Sequence, residues 1–257
     1  MDTSQDYIKQ FDQFAFEFGK EQIFKHTCQL LTKGGKYGYK PLGTCVLMTV
    51  DNKYFLLTAS HVTKILETQF IYINVNSKFV IVSGLLRDTD LSKDKKIDLS
   101  YIQLETQVAE VLSQTYNFLN IDKIGHSHEP KNSYQYIVVG YPEINVSTEG
   151  KTVYSGANIL LLAGAKNEVY DFYKFNKEAH FLLGFAGRGF DLETSKKSDK
   201  LGDPYGMSGC GLWHISASFD IEKKLVCDYM LVGIMIGFRK GKYHVLIGNR
   251  IEYLIDA

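Results

Sequence analysis

The sequence predicts an all-β protein, built from two packed β-barrels or one large sandwich and preceded by a single helix. About a dozen short segments rich in β-branched and aromatic residues follow one another from residue 23 onward. Tight turns such as Asp51-Asn52-Lys53 separate them, and such turns join antiparallel neighbours. The chain lacks the repeated helical crossovers of a parallel sheet, so an antiparallel all-β fold is favoured.

The N-terminal segment has the pattern of an amphipathic helix. Apolar side chains recur at three-to-four spacing, at Ile8, Phe11, Phe14, Ala15 and Phe18. The helix is expected to end near Gly19 and to pack on the surface of the domain, with a partner-binding role as the alternative.

The remaining elements follow in order. The predicted strands are Thr27–Thr32, Leu42–Val50, Tyr54–Ala59, Phe70–Val75, Phe79–Leu86, Leu99–Leu104, Tyr134–Val139, Thr152–Leu162, His180–Leu183, Gly211–Ser216, Val226–Ile236 and Tyr243–Ile247. The polar stretch from about 115 to 131 is the expected linker, and Gly187–Tyr205 is an expected surface loop. A short C-terminal helix is predicted at residues 249–255.

Composition narrows the functional classes. The chain has 257 residues, enough for one large domain or two small ones. Its 29 basic and 29 acidic side chains cancel, so there is no overall field to attract nucleic acid or an anionic membrane. No apolar run reaches the roughly 18 to 20 residues of a membrane span, and the polar N-terminus is unlike an export signal. A cytoplasmic protein is expected.

Neither a metal nor an organic cofactor is expected. The four cysteines are Cys28, Cys45, Cys210 and Cys227; they are far apart and are expected to be reduced core thiols. His126-Ser127-His128 has metal-like spacing but no adjacent cysteine or carboxylate cluster. The glycines at 184–189 lack the Lys-Ser/Thr ending of a phosphate-binding loop.

Three short motifs carry the candidate chemistry. His61 follows an apolar strand, Asp98 precedes another, and Ser208 lies in the run Gly206-Met207-Ser208-Gly209. A serine hydroxyl is a weak nucleophile at neutral pH, so it needs an imidazole to accept its proton and a carboxylate to fix the imidazole tautomer. The order His, Asp, Ser therefore indicates a catalytic triad assembled from distant parts of the chain.

Local sequence also distinguishes the supporting groups. Asp90 and Asp94 are nearby competitors, but Asp98 adjoins a buried strand, as an orienting carboxylate should. The glycines around Ser208 allow a tight turn with outward-pointing amides. The amides of Gly206 and Ser208 are therefore the predicted oxyanion hole.

Taken together, these motifs resemble the chymotrypsin-like (trypsin-like) peptidase family, in which T-A-x-H holds the base, D-[IL] the carboxylate and G-x-S-G the nucleophile. The resemblance covers residues 21–256 and lies in Gly43-Thr44 with the strand after it, Leu57–Val62, Ile97-Asp98-Leu99, Gly202–Leu212 and Gly233–Gly237. It implies two six-stranded antiparallel β-barrels with the cleft between them. The implied division is a helical extension at 1–20, a first barrel at 21–115, a linker at 116–131 and a second barrel at 132–257.

The departures from the family pattern are also informative. Secreted members have an aspartate just before the serine, to pair with a newly cleaved amino terminus; here that position is Met207, and no Ile-Val-Gly-Gly start exists. Activation by that route is not expected, and an intracellular bacterial-type or virus-type branch fits better. Cys210 stands where the family usually has glycine, but Ser208 matches the nucleophile position.

The layout of the family places a substrate pocket at two segments. Its predicted lining is Gly202, Asp203, Tyr205, Ile236, Gly237 and Phe238. Asp203 at the floor would favour Lys or Arg, whereas Phe238 would fill the same space. Arg188 and Arg239 would instead attract an acidic side chain, and the sequence leaves these alternatives open.

The predicted function is that of a serine endopeptidase that acts on a protein or peptide through an acyl-enzyme. Because a cytosolic peptidase with no visible pro-segment endangers its own cell, narrow specificity or activation by a regulatory protein is expected. The resemblance suggests a bacterial stress or antiviral defence pathway as the setting. The alternative is a catalytically silent domain that serves as a binding or regulatory module.

Overall fold

The computed structural model describes residues 13–34, 38–89, 96–129, 134–149, 152–185, 189–192, 197–198, 202–219 and 225–255. Within these ranges the chain forms two large, mainly antiparallel sheets and a separate hairpin. The predicted all-β double barrel is confirmed.

The first sheet contains eight strands. They are β1 (Thr27–Lys33), β2 (Tyr39–Val50), β3 (Lys53–Thr58), β4 (Ile71–Val75), β5 (Lys78–Ile81), β6 (Gly84–Asp88), β7 (Ser100–Leu104) and β8 (Leu119–Asn120). Their order is β5-β4-β1-β2-β3-β7-β6, with β8 parallel to β2. Only Val82 and Ser83 separate β5 from β6, so the two ends of the sheet are joined by the chain and the sheet curls into a barrel.

The second sheet closes on itself. Its strands are β9 (Tyr134–Gly140), β12 (Asn158–Gly164), β13 (His180–Gly184), β14 (Gly189–Asp191), β15 (Lys197–Ser198), β16 (Gly211–Phe219), β17 (Leu225–Arg239) and β18 (Val245–Arg250). The order is β13-β18-β17-β16-β9-β12-β14-β15, and pairing of β12 with β13 completes a six-stranded ring. The remaining two strands, β10 (Val146–Glu149) and β11 (Thr152–Ser155), form the separate hairpin.

Short helical segments connect the strands. Residues 13–18 are α-helical, followed by a π turn at Gly19–Ile23 and a 3₁₀ turn at Phe24–His26. The other α-helices are Ser60–Thr63, Thr106–Leu112, Asn167–Tyr173 and Glu252–Ile255, and the other 3₁₀ turns are Lys64–Glu67, Ile121–Lys123 and Glu143–Asn145.

The N-terminal helix is longer than its sequence predicts. It runs on past Gly19 to His26, since a glycine here lets the helix approach Ile159, whose side chain would lie 3.3 Å from an added Cβ. Phe16 and Ile23 are buried in the apolar core between the barrels, whereas Glu17 and Lys20 are exposed, so the segment packs on the domain through one apolar face, as expected. The predicted helix residues 1–12 lie outside the described part of the chain.

Other differences have local causes. The predicted strand 79–86 divides at Val82–Ser83, where the sheet bends. The predicted strand 152–162 divides at Gly156–Ala157, since its first part pairs within the hairpin and its second part with β9. The helices Thr106–Leu112 and Asn167–Tyr173 were not predicted from the sequence, because each has only seven residues, too few for a helical period to stand out.

Cysteine burial matches the expectation at three of four positions. Cys28, Cys45 and Cys210 are buried free thiols, whereas Cys227 is only partly buried. Cys28 and Cys45 lie directly opposite each other on β1 and β2. Burial raises the pKa of the Cys28 thiol well above its usual range, which keeps it protonated.

A buried histidine joins the N-terminal segment to both barrels. The Nδ1 atom of His26 lies 2.8 Å from the Asn117 carbonyl oxygen, and its Nε2 lies 3.3 Å from the Tyr229 hydroxyl. Its ring stacks on Trp213 at 6.1 Å. Burial lowers the pKa of His26 to about 4, so the ring is neutral at pH 7 and makes both contacts as donor and acceptor.

This burial predicts a pH dependence of stability. The pKa of His26 is lower in the folded protein than in the unfolded chain, so the unfolded chain binds more protons between about pH 6.5 and pH 4. Stability is therefore lost as pH falls through that window, by up to about 3 kcal/mol from this group. Urea unfolding of wild type and His26→Gln at pH 7, 6, 5 and 4 should show a smaller loss in the variant. Equal losses of stability in the wild type and the variant would show that His26 is not the cause of the pH dependence.

Candidate active site

Neighbouring strands bring His61 and Asp98 together. β3 ends at Thr58, and His61 follows in the short helix Ser60–Thr63. Asp98 lies just before β7, whose first residue Ser100 is paired with Thr58. Both side chains therefore leave the same edge of the first barrel.

The Asp98 carboxylate binds His61 through both oxygens. His61 Nδ1 lies 2.6 Å from Asp98 Oδ2, and the His61 backbone amide donates to Oδ1 at 2.9 Å. Ser60 adds two contacts, from its amide to the Asp98 carbonyl at 3.2 Å and from its hydroxyl to the Leu99 carbonyl at 2.5 Å. Because the carboxylate only accepts, Nδ1 carries the proton and Nε2 is left as a proton acceptor.

Both barrels hold the loop that carries Ser208. The Thr44 amide on β2 donates to the Ser208 carbonyl at 2.8 Å, and the Thr44 hydroxyl donates to the Gly206 carbonyl at 3.0 Å. From the second barrel, the Met235 carbonyl on β17 accepts from the Gly209 amide at 2.7 Å. Gly206 and Gly209 have φ of +88° and +91°, a left-handed conformation that favours glycine.

The predicted oxyanion donors are available in this loop. The amides of Met207, Gly209 and Cys210 donate to backbone carbonyls. Among the described residues, the amides of Gly206 and Ser208 donate to none. Two such amides, one residue apart and beside a serine hydroxyl, can stabilise a developing oxyanion.

The serine and the histidine line one cavity without a hydrogen bond between them. Ser208 and His61 line the same cavity of about 620 Å³. Within the described part of the chain, no hydrogen bond joins the Ser208 hydroxyl to the His61 ring. The site therefore has an assembled His–Asp pair facing an unbonded serine, and such contacts often tighten only when substrate binds.

The walls of this cavity include five of the six predicted pocket residues; the sixth, Gly202, is not in its lining. Beyond His61 and Ser208, the lining is Asp203, Pro204, Tyr205, Ile236, Gly237, Phe238, Arg239 and Lys240. Gly202, also predicted, faces Ile144, whose Cδ1 atom would lie 2.6 Å from a Cβ at that position. Arg188, Asp90 and Asp94 lie outside the described residues.

Contacts between residues of the walls determine the charge and the apolar surface of the pocket. Asp203 forms an ion pair with Lys240, so its charge is compensated. The Tyr205 and Phe238 rings meet edge to face at 5.2 Å between centroids. Lys240 Nζ also lies 5.9 Å from the Phe238 ring centroid. The pocket therefore presents aromatic surface, the paired charges of Asp203 and Lys240, and the side chain of Arg239.

Cys210 is buried below the site. Its thiol contacts Met235 Sδ at 3.6 Å, and burial raises the pKa of this thiol far above its usual range. A fully buried, protonated thiol is a poor nucleophile, so Ser208 is the candidate nucleophile.

Sequence reasoning missed two residues at this site. Lys240 pairs with Asp203 from 37 positions away. Asn249 accepts a hydrogen bond from the Asp98 amide at 2.9 Å across 151 positions. Both lie on or beside ordinary strands, and nothing in their local sequence distinguishes them.

Comparisons with known proteins identify the fold. No family model matches the sequence, and no curated protein matches it. A thermostable serine protease from an extremophilic microorganism is similar in structure, with a TM-score of 0.50 and 10% identity over 90% of this chain and 94% of that one. Neuropsin, a serine protease expressed in the limbic system of mouse brain, is also similar, with a TM-score of 0.51 and 16% identity over 90% and 91%.

A third similar structure is an inactivated protease paralogue of the scabies mite. Its TM-score is 0.52, with 13% identity over 91% of each chain. At these identities the likeness concerns the fold alone: the chain has the chymotrypsin-like double-barrel fold. Separately, no helix in the described ranges is long and apolar enough to cross a membrane.

The loop geometry predicts unequal tolerance of two glycines. A Cβ at Gly209 would lie 2.0 Å from both the Thr44 carbonyl oxygen and Thr58 Oγ1, whereas a Cβ at Gly237 meets nothing within 4 Å. Gly209→Ala is expected to destabilise the protein by about 3 kcal/mol, through the left-handed backbone and the clash. Gly237→Ala, also in the cavity wall, should change stability by less than about 0.5 kcal/mol. Urea unfolding of the pair tests this, and equal stability of the two variants would contradict the loop geometry.

Proposed function

We propose that the protein is a serine endopeptidase that cleaves peptide bonds through an acyl-enzyme intermediate. The observation that carries this proposal is the cavity lined by His61 and Ser208, with the Asp98 carboxylate bonded to the His61 ring. Beside it, the amides of Gly206 and Ser208 donate to no backbone carbonyl of the described residues. This set supplies a base, an orienting carboxylate, a nucleophile and an anion site, which acyl transfer requires.

The proposed chemistry proceeds in two halves. Ser208 Oγ attacks the scissile carbonyl carbon while His61 Nε2 takes the hydroxyl proton, and Asp98 stabilises the resulting imidazolium. The negative oxygen is bound by the amides of Gly206 and Ser208. His61 then protonates the departing amine, which leaves an ester on Ser208. Water, deprotonated by His61, hydrolyses that ester and restores the serine.

An open strand edge beside the cavity supports a peptide substrate. β16 pairs with β17 only as far as Ile234, while β18 pairs with β17 on the other side up to Arg239. The segment Ile236–Arg239 therefore has one unpaired edge next to the nucleophile within the described residues. An extended peptide can add to such an edge through main-chain hydrogen bonds.

The wall contacts favour a neutral apolar side chain before the cleaved bond. Tyr205 and Phe238 supply aromatic surface, and the charge of Asp203 is compensated by Lys240. A basic substrate side chain would have to displace Lys240, and an acidic one would face Asp203.

The second candidate function is a silent or latent domain that binds a partner. It is favoured by the missing hydrogen bond between Ser208 and His61, and one similar structure is an inactivated protease. A partner that moved the Ser208 loop toward His61 would join the two functions into regulated proteolysis. Lack of turnover of casein by the isolated protein would agree with such regulation.

Covalent labelling tests the chemistry without a known substrate. Treatment with a fluorophosphonate is expected to add one phosphonyl group per chain, because His61 activates Ser208 and the two amides bind the phosphonyl oxygen. Ser208→Ala and His61→Ala should abolish labelling, and Asp98→Asn should slow it roughly ten-thousand-fold. Intact-mass spectrometry measures each result.

Cys210→Ala is the control for labelling at the neighbouring thiol, and it should label as wild type does. Stoichiometric labelling that survives Ser208→Ala would assign the nucleophile elsewhere. A wild-type protein that does not label would favour the silent or latent domain.

The ion pair predicts a change of preference. Three peptidyl phosphonates are compared, with Leu, Phe or Lys at the residue before phosphorus. The wild type is expected to react faster with the Leu and Phe probes than with the Lys probe. Lys240→Ala leaves Asp203 uncompensated, so the relative rate for the Lys probe should rise about fivefold, equivalent to the roughly 1 kcal/mol of a partly exposed ion pair. The relative rates of the three probes measure this, with Lys242→Ala as the control for loss of a nearby surface charge. An unchanged ratio would place Asp203 outside the pocket.

A further inference from the structure

The loop that carries Asp98 belongs to the first barrel, yet its described contacts reach the second. The Asp98 amide donates to Asn249 Oδ1 at 2.9 Å. Two residues earlier, the Lys96 carbonyl oxygen lies 3.2 Å from His180 Nε2, and Lys96 Nζ lies 4.9 Å from the Phe175 ring centroid. Residues 96–98 are therefore held by the opposite barrel.

Asn249 is built into the second barrel with its amide orientation fixed. The side chain is fully buried on β18, and its Nδ2 donates to the Ala179 carbonyl at 3.2 Å. Because that end of the amide is a donor, the other end must be the acceptor that receives the Asp98 amide. Asn249 lies directly opposite His180 in the pairing of β18 with β13. The two residues that bind the Asp98 loop are therefore neighbours on the same part of the second barrel.

Of the two contacts, the one from Asn249 constrains the position of the Asp98 loop more strongly. Both ring nitrogens of His180 face carbonyl oxygens, Nδ1 at 3.1 Å from Asn176 and Nε2 at 3.2 Å from Lys96. A neutral imidazole has only one N–H, so it donates to one of these carbonyls at a time. Asn249 satisfies both of its partners at once.

The position of this contact matters for the triad. The peptide before Asp98 is held by Asn249, and the peptide after it is held by the Ser60 amide. These two anchors set the backbone from which the carboxylate projects, and the carboxylate in turn binds both the ring and the amide of His61. A small rotation of the Asp98 backbone would misalign both bonds.

We propose that Asn249 is a positioning residue of the catalytic site: it makes the alignment of Asp98, and through it the tautomer and orientation of His61, depend on contact between the two barrels. This inference rests on the proposed peptidase function for its kinetic consequence. The contact itself is independent of turnover. Any movement that separates β18 from the Asp98 loop switches off the base, even though His61 and Asp98 share one barrel.

Asn249→Leu tests the proposal, since leucine has a similar size and no acceptor. Tyr170→Phe is the matched control: its buried hydroxyl accepts from the Leu182 amide at 2.8 Å and donates to the His180 carbonyl at 3.4 Å on β13, and it has no described hydrogen bond to residues 96–98. The first measurement is the proton NMR signal of His61 Nδ1–H, assigned by its loss in His61→Ala. The proton of a short, charge-assisted hydrogen bond resonates far downfield. We expect an upfield shift or loss of the signal in Asn249→Leu and no change in Tyr170→Phe.

The second measurement is the concentration dependence of fluorophosphonate labelling. In Asn249→Leu the maximal rate is expected to fall at least about tenfold, equivalent to roughly 1.4 kcal/mol, with half-saturation unchanged. Tyr170→Phe should retain the wild-type rate. If Asn249 had a merely structural role, the free energy of unfolding would change in both variants. The NMR signal of His61 and the maximal labelling rate would then stay as in the wild type.

The outcomes separate the two proposals. A wild-type signal that persists unshifted in a folded Asn249→Leu protein overturns the positioning role. A wild type that shows the signal but does not label counts against the peptidase function, and loss of that signal in Asn249→Leu would still support the role of Asn249. If Asn249→Leu does not fold, Asn249→Ser, which buries no apolar side chain beside the two polar groups, is judged by the same criteria.

Discussion

The hydrogen bond from the Thr44 amide to the Ser208 carbonyl is the contact on which the site depends. It joins β2 of the first barrel to the Ser208 loop of the second, so His61 and Ser208 share one cavity only while the barrels touch. Gly43 allows this approach, since a Cβ there would lie 2.9 Å from the Ser208 carbonyl oxygen. The apolar core behind the contact holds the barrels at this distance, and the N-terminal segment contributes Phe16 and Ile23 to it.

Several polar contacts cross the same interface. Thr44 holds the Ser208 loop, Asn249 and His180 hold the Asp98 loop, and His26 joins the N-terminal segment to Asn117 and Tyr229. A buried polar group left without its partner destabilises the protein by roughly 1 to 3 kcal/mol, so each contact specifies the relative placement of the barrels. Burial of the apolar core stabilises the contact between the barrels but does not depend on direction. The hydrogen bonds fix how one barrel is placed against the other.

The candidate site was more predictable from sequence than its surroundings. His61, Asp98 and Ser208 lie beside strand ends and glycine turns, features that depend on a few adjacent residues. Lys240 and Asn249 are distant in sequence from the residues they contact, and their local sequence contains no sign of a partner. Preference at the pocket depends on the Asp203–Lys240 pair, so sequence alone left the basic, acidic and apolar alternatives open.

The sequence by itself determined the all-β class, most strand positions and the candidate residues for acyl transfer. Alternating apolar side chains and glycines that must adopt positive φ act over a few residues, so local pattern is enough for them. Tertiary structure decided where strands 79–86 and 152–162 break, how far the first helix runs, and which polar groups meet across the barrels. Those outcomes depend on pairing and packing between segments far apart in the chain, and local propensity contains no information about them.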